Sequence, residues 1–161
     1  SVAIHNLCLL DSELYDFNTH FKVLPPLRTQ SDIDALIEGV KDGTIDMVTS
    51  DHNPLTIEDK KVEFDFADYG TVGLESAFGA LQTLFSTKKT VQLLTKGKAR
   101  FKAEENTISE GKKADLTLFN PDTKYMFTTQ NILSKSKNSL FLNKDLKGEV
   151  YGIIANNKTI L

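Results

Sequence analysis

The chain has few of the residues that mark secreted or disulfide-stabilised proteins. Of its 161 residues, one is cysteine and none is tryptophan. A single Cys8 rules out an internal disulfide and fits a reducing cytoplasm, where we expect the protein to work. Its apolar neighbours Leu7 and Leu9 favour a buried, inert thiol over a nucleophile.

Long apolar runs and basic tracts are also missing. No stretch approaches the ~20 apolar residues of a membrane span, and no basic start followed by an apolar run indicates a signal peptide. The formal charge is −3 and the pI is near 5.6, so we expect no electrostatic binding to nucleic acid or to a membrane. The sequence starts in a strand-like pattern at Ser1 without an initiator Met, and we therefore expect a truncated or processed chain.

What the chain does contain is a helix pattern followed directly by a strand pattern. Ser31 and Asp34 predict a capping box for a helix over residues 31–40, whose apolar positions follow the period of one buried face. Gly43 is expected to end this helix, and a short buried strand is predicted over residues 45–50. Helix and strand joined by a short connection predict a parallel α/β fold.

Further elements are predicted on both sides of this unit. In chain order they are strand-like segments over residues 1–10 and 21–24, an irregular charged segment over 56–68, helices over 74–85 and 90–100, strands over 114–119 and 124–128, and a hairpin over 148–161. Leu74 is expected on a buried helix face, Asn120-Pro121 in a turn and Asn156-Asn157 at the hairpin tip. The charged segment is interpreted as a solvated loop, with a mobile cover over a cleft as the alternative. A change to β-rich sequence places a domain boundary near Lys102.

Asp51 stands where the strand over residues 45–50 gives way to a loop. In parallel α/β folds, ligand-binding and catalytic groups collect at the carboxyl ends of strands. A carboxylate at this position can bind a metal ion or move a proton. The alternative is that Asp51 caps the turn before Asn53-Pro54, which the spacing alone favours.

Three other residues have a functional and a structural interpretation. Arg28 follows the stiff Pro25-Pro26 pair, which can hold it near a cleft, but an arginine bonded to loop carbonyl groups is favoured. Gly70 lacks a Cβ and can offer its N–H to an anionic ligand, or it is a plain turn glycine. His5, beside apolar residues, is expected to be a hydrogen-bonded core histidine rather than a ligand, and His20 is assigned no role.

Five segments of the chain are informative when they are taken together. They are residues 22–28 (KVLPPLR), 37–46 (IEGVKDGTID), 50–52 (SDH), 69–75 (YGTVGLE) and 113–119 (KADLTLF). In this order and spacing they resemble the dihydroorotase family of metal-dependent cyclic amidohydrolases, specifically its C-terminal part. The resemblance implies an α/β fold, with the C-terminal part of a TIM-type amidohydrolase barrel over residues 1–102. It also implies a small, β-rich, sandwich-like domain over residues 103–161.

The resemblance implies hydrolysis of the ring amide of dihydroorotate, or its formation from carbamoyl aspartate, in pyrimidine biosynthesis. Asp51 matches the family's zinc ligand and general base, and we expect Gly70 and Arg28 to lie near the substrate. The family's other zinc ligands are a His-x-His pair, an acidic or modified lysine and two further histidines. None of these lies in this chain, so we expect the isolated chain to be inactive.

Two positions depart from the pattern of the resembled family. Leu24 stands where the family has an asparagine that helps hold the substrate, and Leu55 where it has a substrate-contacting histidine. A site that recognises its ligand through hydrogen bonds loses much of its affinity for that ligand when those hydrogen bonds are removed. The hypotheses left open are an active dihydroorotase, a noncatalytic homologue that is a structural partner of aspartate carbamoyltransferase or of its own copies, and a hydantoinase-like enzyme with an apolar pocket. A barrel fragment exposes sheet edges, so we also expect self-association or pairing with a missing half.

Overall fold

The computed structural model describes residues 1–101 and 108–161, so the predicted domain boundary near Lys102 lies outside the described residues. The elements in chain order are β1 (Val2–Ala3), α1 (His5–Cys8), α2 (Gln30–Asp42), β2 (Val48–Thr49), α3 (Ile57–Lys60), α4 (Leu74–Leu84), α5 (Thr87–Thr95), α6 (Gly97–Arg100), β3 (Leu116–Met126), β4 (Asp145–Ala155) and β5 (Lys158–Ile160). Short 3-10 turns lie at Asp11–Leu14, Thr19–Phe21, Phe64–Phe66 and Thr129–Asn131. In these two ranges, no helix is long and apolar enough to cross a membrane.

The predicted helix–strand unit is present, but its helix starts earlier than expected. The hydroxyl of Thr29 accepts a hydrogen bond from the N–H of Asp32, and the Asp32 carboxylate accepts one from the N–H of Thr29. The predicted capping pair of Ser31 and Asp34 is therefore wrong, because the Thr29 box starts the first turn two residues upstream. Gly43 does end α2, with a φ of 91° that places it in the left-handed region.

β1 and β2 form a two-stranded parallel sheet, in which Val2 pairs with Val48 and Ala3 with Thr49. This pairing confirms the prediction of a parallel α/β arrangement. The strand predicted over residues 1–10 is wrong beyond Ala3, because the chain turns there into α1. That short helix buries His5, Asn6 and Leu7 in the core. The apolar pattern of this segment therefore reflects burial and not an extended backbone.

The charged segment over residues 56–68 is more ordered than a solvated loop, since it contains α3 and a 3-10 turn. Lys60 is buried, and its Nζ donates hydrogen bonds to the backbone carbonyl oxygens of Thr19 and Lys22, each at 3.0 Å. The strand predicted over residues 21–24 is wrong. Phe21 ends a 3-10 turn, residues 22–24 form no strand, and the carbonyl oxygen of Lys22 accepts from Lys60 and from the N–H of Gly70 instead of from a neighbouring strand.

α4 packs against β4, and its buried face differs from the predicted one. Ala80 and Leu81 are buried, whereas Leu74 is 63% exposed. The prediction for Leu74 is therefore wrong. Small residues set the face that meets the sheet, since a Cβ added to Gly79 would lie 3.1 Å from the Cβ of Leu146. The helix predicted over residues 90–100 is present as α5 and α6, and α5 starts upstream of the prediction.

The C-terminal sheet is antiparallel with the strand order β3-β4-β5. The predicted hairpin is confirmed, and its turn residues Asn156 and Asn157 have φ values of 52° and 59°. The turn predicted at Asn120-Pro121 is wrong: β3 continues through it, and the register shifts between Asn120 and Lys124 because Pro121 has no N–H for the ladder. Within residues 1–101 and 108–161 the other sheet is β1–β2, so the second layer of a sandwich stays a prediction.

Candidate functional site

Asp51 lies two residues beyond β2, at the carboxyl end of the parallel pair. Its side chain is 36% exposed and lines a cavity of about 580 Å³, together with Asn6, Arg28 and Thr49. The φ of Asp51 is 49°, a left-handed conformation that costs a residue other than glycine on the order of 1 kcal/mol. Such strain persists only where the surrounding structure fixes the backbone, and it is common at functional sites.

Hydrogen bonds fix the backbone on both sides of Asp51. Before it, the carbonyl oxygen of Thr49 accepts a hydrogen bond from the N–H of Ile4 at 3.0 Å. After it, the N–H of Asn53 donates to the carbonyl oxygen of Thr71 at 2.8 Å. The strained residue therefore sits between two anchored points, one on the parallel sheet and one on the segment that leads into α4.

Two glycines let this segment approach the Asp51 loop at backbone contact. A Cβ added to Gly73 would lie 2.1 Å from the carbonyl oxygen of Ser50, and one added to Gly70 would lie 2.6 Å from that of Asn53. The N–H of Gly70, which was expected to face a ligand, donates to the carbonyl oxygen of Lys22 at 3.3 Å. Gly70 thus has a packing role here, and its part in substrate binding stays a prediction.

His5 is fully buried and lies against Asp51. Its Nε2 is 3.2 Å from the carbonyl oxygen of Pro25, which only accepts, so Nε2 carries a hydrogen. In the neutral ring, which burial favours, Nδ1 then carries none. Burial lowers the pKa of His5, although the Pro25 carbonyl and Asp51 act in the opposite direction. The bare Nδ1 finds no hydrogen-bond partner in the part of the chain that the structure describes and lies 4.0 Å from Oδ2 of Asp51. The expectation of a hydrogen-bonded core histidine is therefore confirmed, but only Nε2 of the ring makes a hydrogen bond.

Arg28 reaches the same cavity on a loop that α1 holds in place. Nδ2 of Asn6 donates to the carbonyl oxygen of Pro26 at 2.7 Å, beside the bond of His5 to Pro25. The side chain of Arg28 is 56% exposed, and its Nε pairs at 3.2 Å with Oδ2 of Asp32 in the first turn of α2. The structure therefore brings Arg28 and Asp51 to one cavity, but the polar partner of Arg28 is Asp32, a partly exposed carboxylate at the same cavity.

The sequence analysis assigned no role to His52, which follows Asp51, or to Glu75, whose Oε2 lies 3.8 Å from Nδ1 of His52. Nδ1 of His52 accepts hydrogen bonds from the backbone N–H groups of Gly73 and Leu74, both at 3.2 Å. Oε1 of Glu75 accepts from the N–H and the hydroxyl of Ser134 at 2.9 and 2.6 Å. Burial opposes ionisation of Glu75, but the bonds from Ser134 hold the pKa of its carboxyl below the usual value. The available sequence signal was the Asp-His pair at a strand end, which is too common to assign a role to His52 or to Glu75.

The two leucines that depart from the resembled family do not line the cavity that Asp51 faces. Leu24 is 64% exposed at the start of the Pro25-Pro26 loop. Leu55 lines a second, larger cavity of about 1390 Å³, which is mostly apolar and carries Lys61 and Lys135 among its lining residues. Leucine side chains at both positions offer apolar contact and no hydrogen bond to a ligand.

The described residues do not form a metal centre by themselves. Among residues 1–101 and 108–161, no three His, Cys, Asp or Glu side chains are arranged to hold a metal ion. A catalytic zinc ion usually has three protein ligands. Asp51 and the bare Nδ1 of His5 are two donors in one place, so these residues do not fit a complete zinc centre by themselves.

The fold is similar to that of a solved hydantoinase and of a solved dihydroorotase-like domain. L-Hydantoinase (dihydropyrimidinase) from Arthrobacter aurescens matches with a TM-score of 0.84 and 21% identity, over 98% of this chain and 38% of that one. The inactive dihydroorotase-like domain of the Chaetomium thermophilum CAD-like multifunctional protein matches with a TM-score of 0.65 and 19% identity, over 98% and 42% of the two chains. These similarities define the class by fold: the chain has an α/β amidohydrolase fold.

Sequence similarity relates the chain to particular enzymes. The dihydroorotase of Caldicellulosiruptor saccharolyticus is 42% identical over 163 aligned positions, which cover 97% of this chain and 38% of that protein. The dihydroorotase of Caldanaerobacter subterraneus subsp. tengcongensis is 40% identical over 92% of this chain and 36% of that protein. No family model matches the chain. Over nearly its whole length the chain is homologous to curated dihydroorotases, and it spans a little more than a third of the length of these relatives.

Proposed function

We propose that this chain contributes Asp51 to the active site of a cyclic amidohydrolase that opens the ring of dihydroorotate. The observation that carries the proposal is the placement of Asp51, a carboxylate at the end of a parallel strand pair that faces a cavity from a strained, fixed backbone. Because the chain spans little more than a third of its relatives, the activity of the whole protein is part of the proposal.

Ring opening needs one group that takes up a proton and returns it. Water attacks the amide carbonyl carbon, and the Asp51 carboxylate takes a proton from the attacking oxygen. The bond between this carbon and the ring nitrogen then breaks, and the same proton passes from Asp51 to the departing nitrogen. The product is the open-chain carbamoyl amino acid, and Asp51 is again a carboxylate.

We propose that the zinc ligands beyond Asp51 come from residues outside this chain. Asp51 and His5 offer two donors, one fewer than a catalytic zinc ion usually takes. The sheet supports the same proposal, because within the described residues β1 and β2 pair only with each other. Parallel strands normally have neighbours on both edges. We propose that further barrel strands, or a second copy of the chain, cover these edges.

The direct test is dihydroorotate hydrolysis by the full-length protein with zinc supplied, compared with its Asp51→Asn variant. We expect the substitution to lower turnover by about 10²- to 10⁴-fold, because the amide cannot take up the proton. Asp122→Asn is the matched control, since Asp122 is 85% exposed in the C-terminal sheet. Equal turnover by the Asp51 and Asp122 variants would refute the role of Asp51.

The second candidate is a noncatalytic homologue that serves as a structural partner, for example of a carbamoyltransferase. Leu24 and Leu55 favour it, because they remove two polar contacts that the family pattern provides. The same fold occurs in a protein described as an inactive dihydroorotase-like domain. A folded full-length protein that hydrolyses neither dihydroorotate nor hydantoins supports this candidate. Turnover of hydantoins alone supports an apolar pocket shaped by the two leucines.

A further inference from the structure

We infer that His52 is a positioning residue for Asp51, and that it acts by capping the N-terminus of α4 with its Nδ1. The inference rests on the proposed function, since it concerns the conformation of the proposed base. His52 follows Asp51 directly in the chain, while the helix it caps begins 22 residues later. The ring therefore ties the loop that carries Asp51 to a separate, buried element of the fold.

The contact requires one state of the imidazole ring. Backbone N–H groups only donate, so Nδ1 must carry a lone pair to accept from both Gly73 and Leu74. A neutral ring then carries its hydrogen on Nε2. Oε2 of Glu75 lies 3.8 Å from the same nitrogen, has no hydrogen-bond partner within the described ranges and also cannot donate. The two N–H groups are thus the donors that fix the orientation of the ring.

The cap of α4 differs from the other helix caps of the chain. Thr29, Thr56 and Ser86 cap α2, α3 and α5 from the residue that directly precedes each helix. The residue at that position of α4 is Gly73, which has no side chain to accept a hydrogen bond. A serine or threonine there would cap the helix locally, but its Cβ would collide with the carbonyl oxygen of Ser50. The close approach of the Asp51 loop therefore excludes a local cap and supplies His52 in its place.

The same contacts set the backbone at Asp51. Its φ of 49° is unfavourable, so the loop needs fixed points on both sides to keep it. β2 provides the first point, and the ring of His52 provides the second, next to the bond from Asn53 to Thr71. Without the cap, the nearest fixed point after Asp51 is the bond from Asn53 to Thr71, so residues 51 and 52 can relax toward an ordinary conformation and the carboxylate moves away from its place in the cavity.

The test uses His52→Asn and His52→Gln in the full-length protein. The side-chain oxygen of asparagine takes nearly the position of Nδ1, whereas the oxygen of glutamine lies one bond further out. Ser86→Ala is the matched control. Ser86 precedes α5, and its hydroxyl accepts a hydrogen bond from the N–H of Lys89, so the substitution removes a helix cap far from the cavity. Amide hydrogen exchange of peptides over residues 50–56 and 70–77 is measured first, and kcat and KM for dihydroorotate second.

We expect His52→Gln to speed exchange in both peptides at least about fivefold, the effect of losing one cap. We expect it to lower kcat by about 10²-fold with little change in KM, as a displaced catalytic group does. His52→Asn should keep exchange near the wild-type rate and kcat within about tenfold, and Ser86→Ala should change neither peptide nor kcat. Slow exchange over residues 50–56 in His52→Gln, or equal losses of kcat in the Asn and Gln variants, would overturn the inference.

The exchange measurement separates this inference from the proposed function. If the wild-type protein turns over no cyclic amide, the proposed function fails, but exchange over residues 50–56 still decides whether His52 holds the Asp51 loop. If the protein is active and His52→Gln loosens the loop without lowering kcat, the positioning role is refuted while the proposed function stands.

Discussion

Asp51 and Arg28, two of the charged residues that line the smaller cavity, are held in different ways. Asp51 has a strained backbone between two hydrogen-bonded anchors, and its loop touches the backbone of residues 69–74 at two glycines. Arg28 sits on a proline-stiffened loop, but its side chain is 56% exposed and pairs with Asp32 on the helix surface. The fold therefore fixes the position of Asp51, whereas the side chain of Arg28 is able to exchange partners.

This difference separates residues that line a cavity from residues that the fold builds into it. An exposed ion pair contributes little, because both side chains lose freedom and water screens the charges. A backbone contact without room for a methyl group admits only glycine and leaves one geometry. We therefore expect substitutions around Asp51 to have large effects and substitutions at Arg28 to have small ones.

The largest effect is expected for Gly73→Ala, which disturbs the backbone contact that holds the Asp51 loop. The new Cβ would lie 2.1 Å from the carbonyl oxygen of Ser50, so the two segments must separate. We expect a loss of about 3 kcal/mol in the free energy of unfolding, measured with urea, because overpacking against backbone has no flexible group to yield. Gly43→Ala is the control, with φ near 91° but open space around it, and should cost about 1 kcal/mol. Equal losses would show that the contact at Gly73 yields easily.

A smaller effect is expected for Lys60→Met, which removes the hydrogen bonds that connect the Asp51 loop region to the chain before the Arg28 loop. Lys60 lies at the end of α3, after the Asp51 loop, and bonds the carbonyl groups of Thr19 and Lys22, which precede the Arg28 loop. Both carbonyl oxygens also accept backbone N–H groups, so the loss should stay near 2 kcal/mol at pH 7. Lys61→Met, at an exposed neighbour, should stay within about 0.5 kcal/mol. A similar loss for both variants would contradict the link.

The pH dependence of stability gives a second measure of the same link. Burial, and to a smaller degree the charge of Lys22, lowers the pKa of Lys60 from 10.5 to about 8. Between these two values the unfolded chain holds a proton that the folded protein has released, so raising the pH favours the folded state. The neutral amine still donates to both carbonyl groups. We expect the stability of the wild type relative to Lys60→Met to rise from pH 8 to 10.5; a flat difference would show that Lys60 titrates normally.

The sequence predicted the elements whose cause is local. The period of apolar residues predicted α2, the Asn156-Asn157 pair predicted the hairpin, and the strand pattern predicted where Asp51 stands. The contacts that hold Asp51 were not accessible in this way. Nδ1 of His52 bonds N–H groups 21 and 22 residues away, and such a pairing leaves no periodic signal. Lys60 was expected on the surface because lysine usually is, and only the carbonyl groups of residues 19 and 22 explain its burial.

The smallest effect is expected for Arg28→Gln, which tests the weakly held side of the comparison. Removing the guanidinium breaks the exposed pair with Asp32 and leaves the bonds of His5 and Asn6 to the Pro25-Pro26 loop intact. We expect kcat and KM of the full-length protein to stay within about threefold of wild type. Lys41→Gln, which breaks the exposed pair with Glu38 on the same helix, is the matched control. A tenfold or greater rise in KM for Arg28→Gln alone would mean that the guanidinium leaves Asp32 to bind the substrate. The exposure of the Arg28 side chain in the absence of ligand would then mean that it is available to bind the substrate, and not that it has no role.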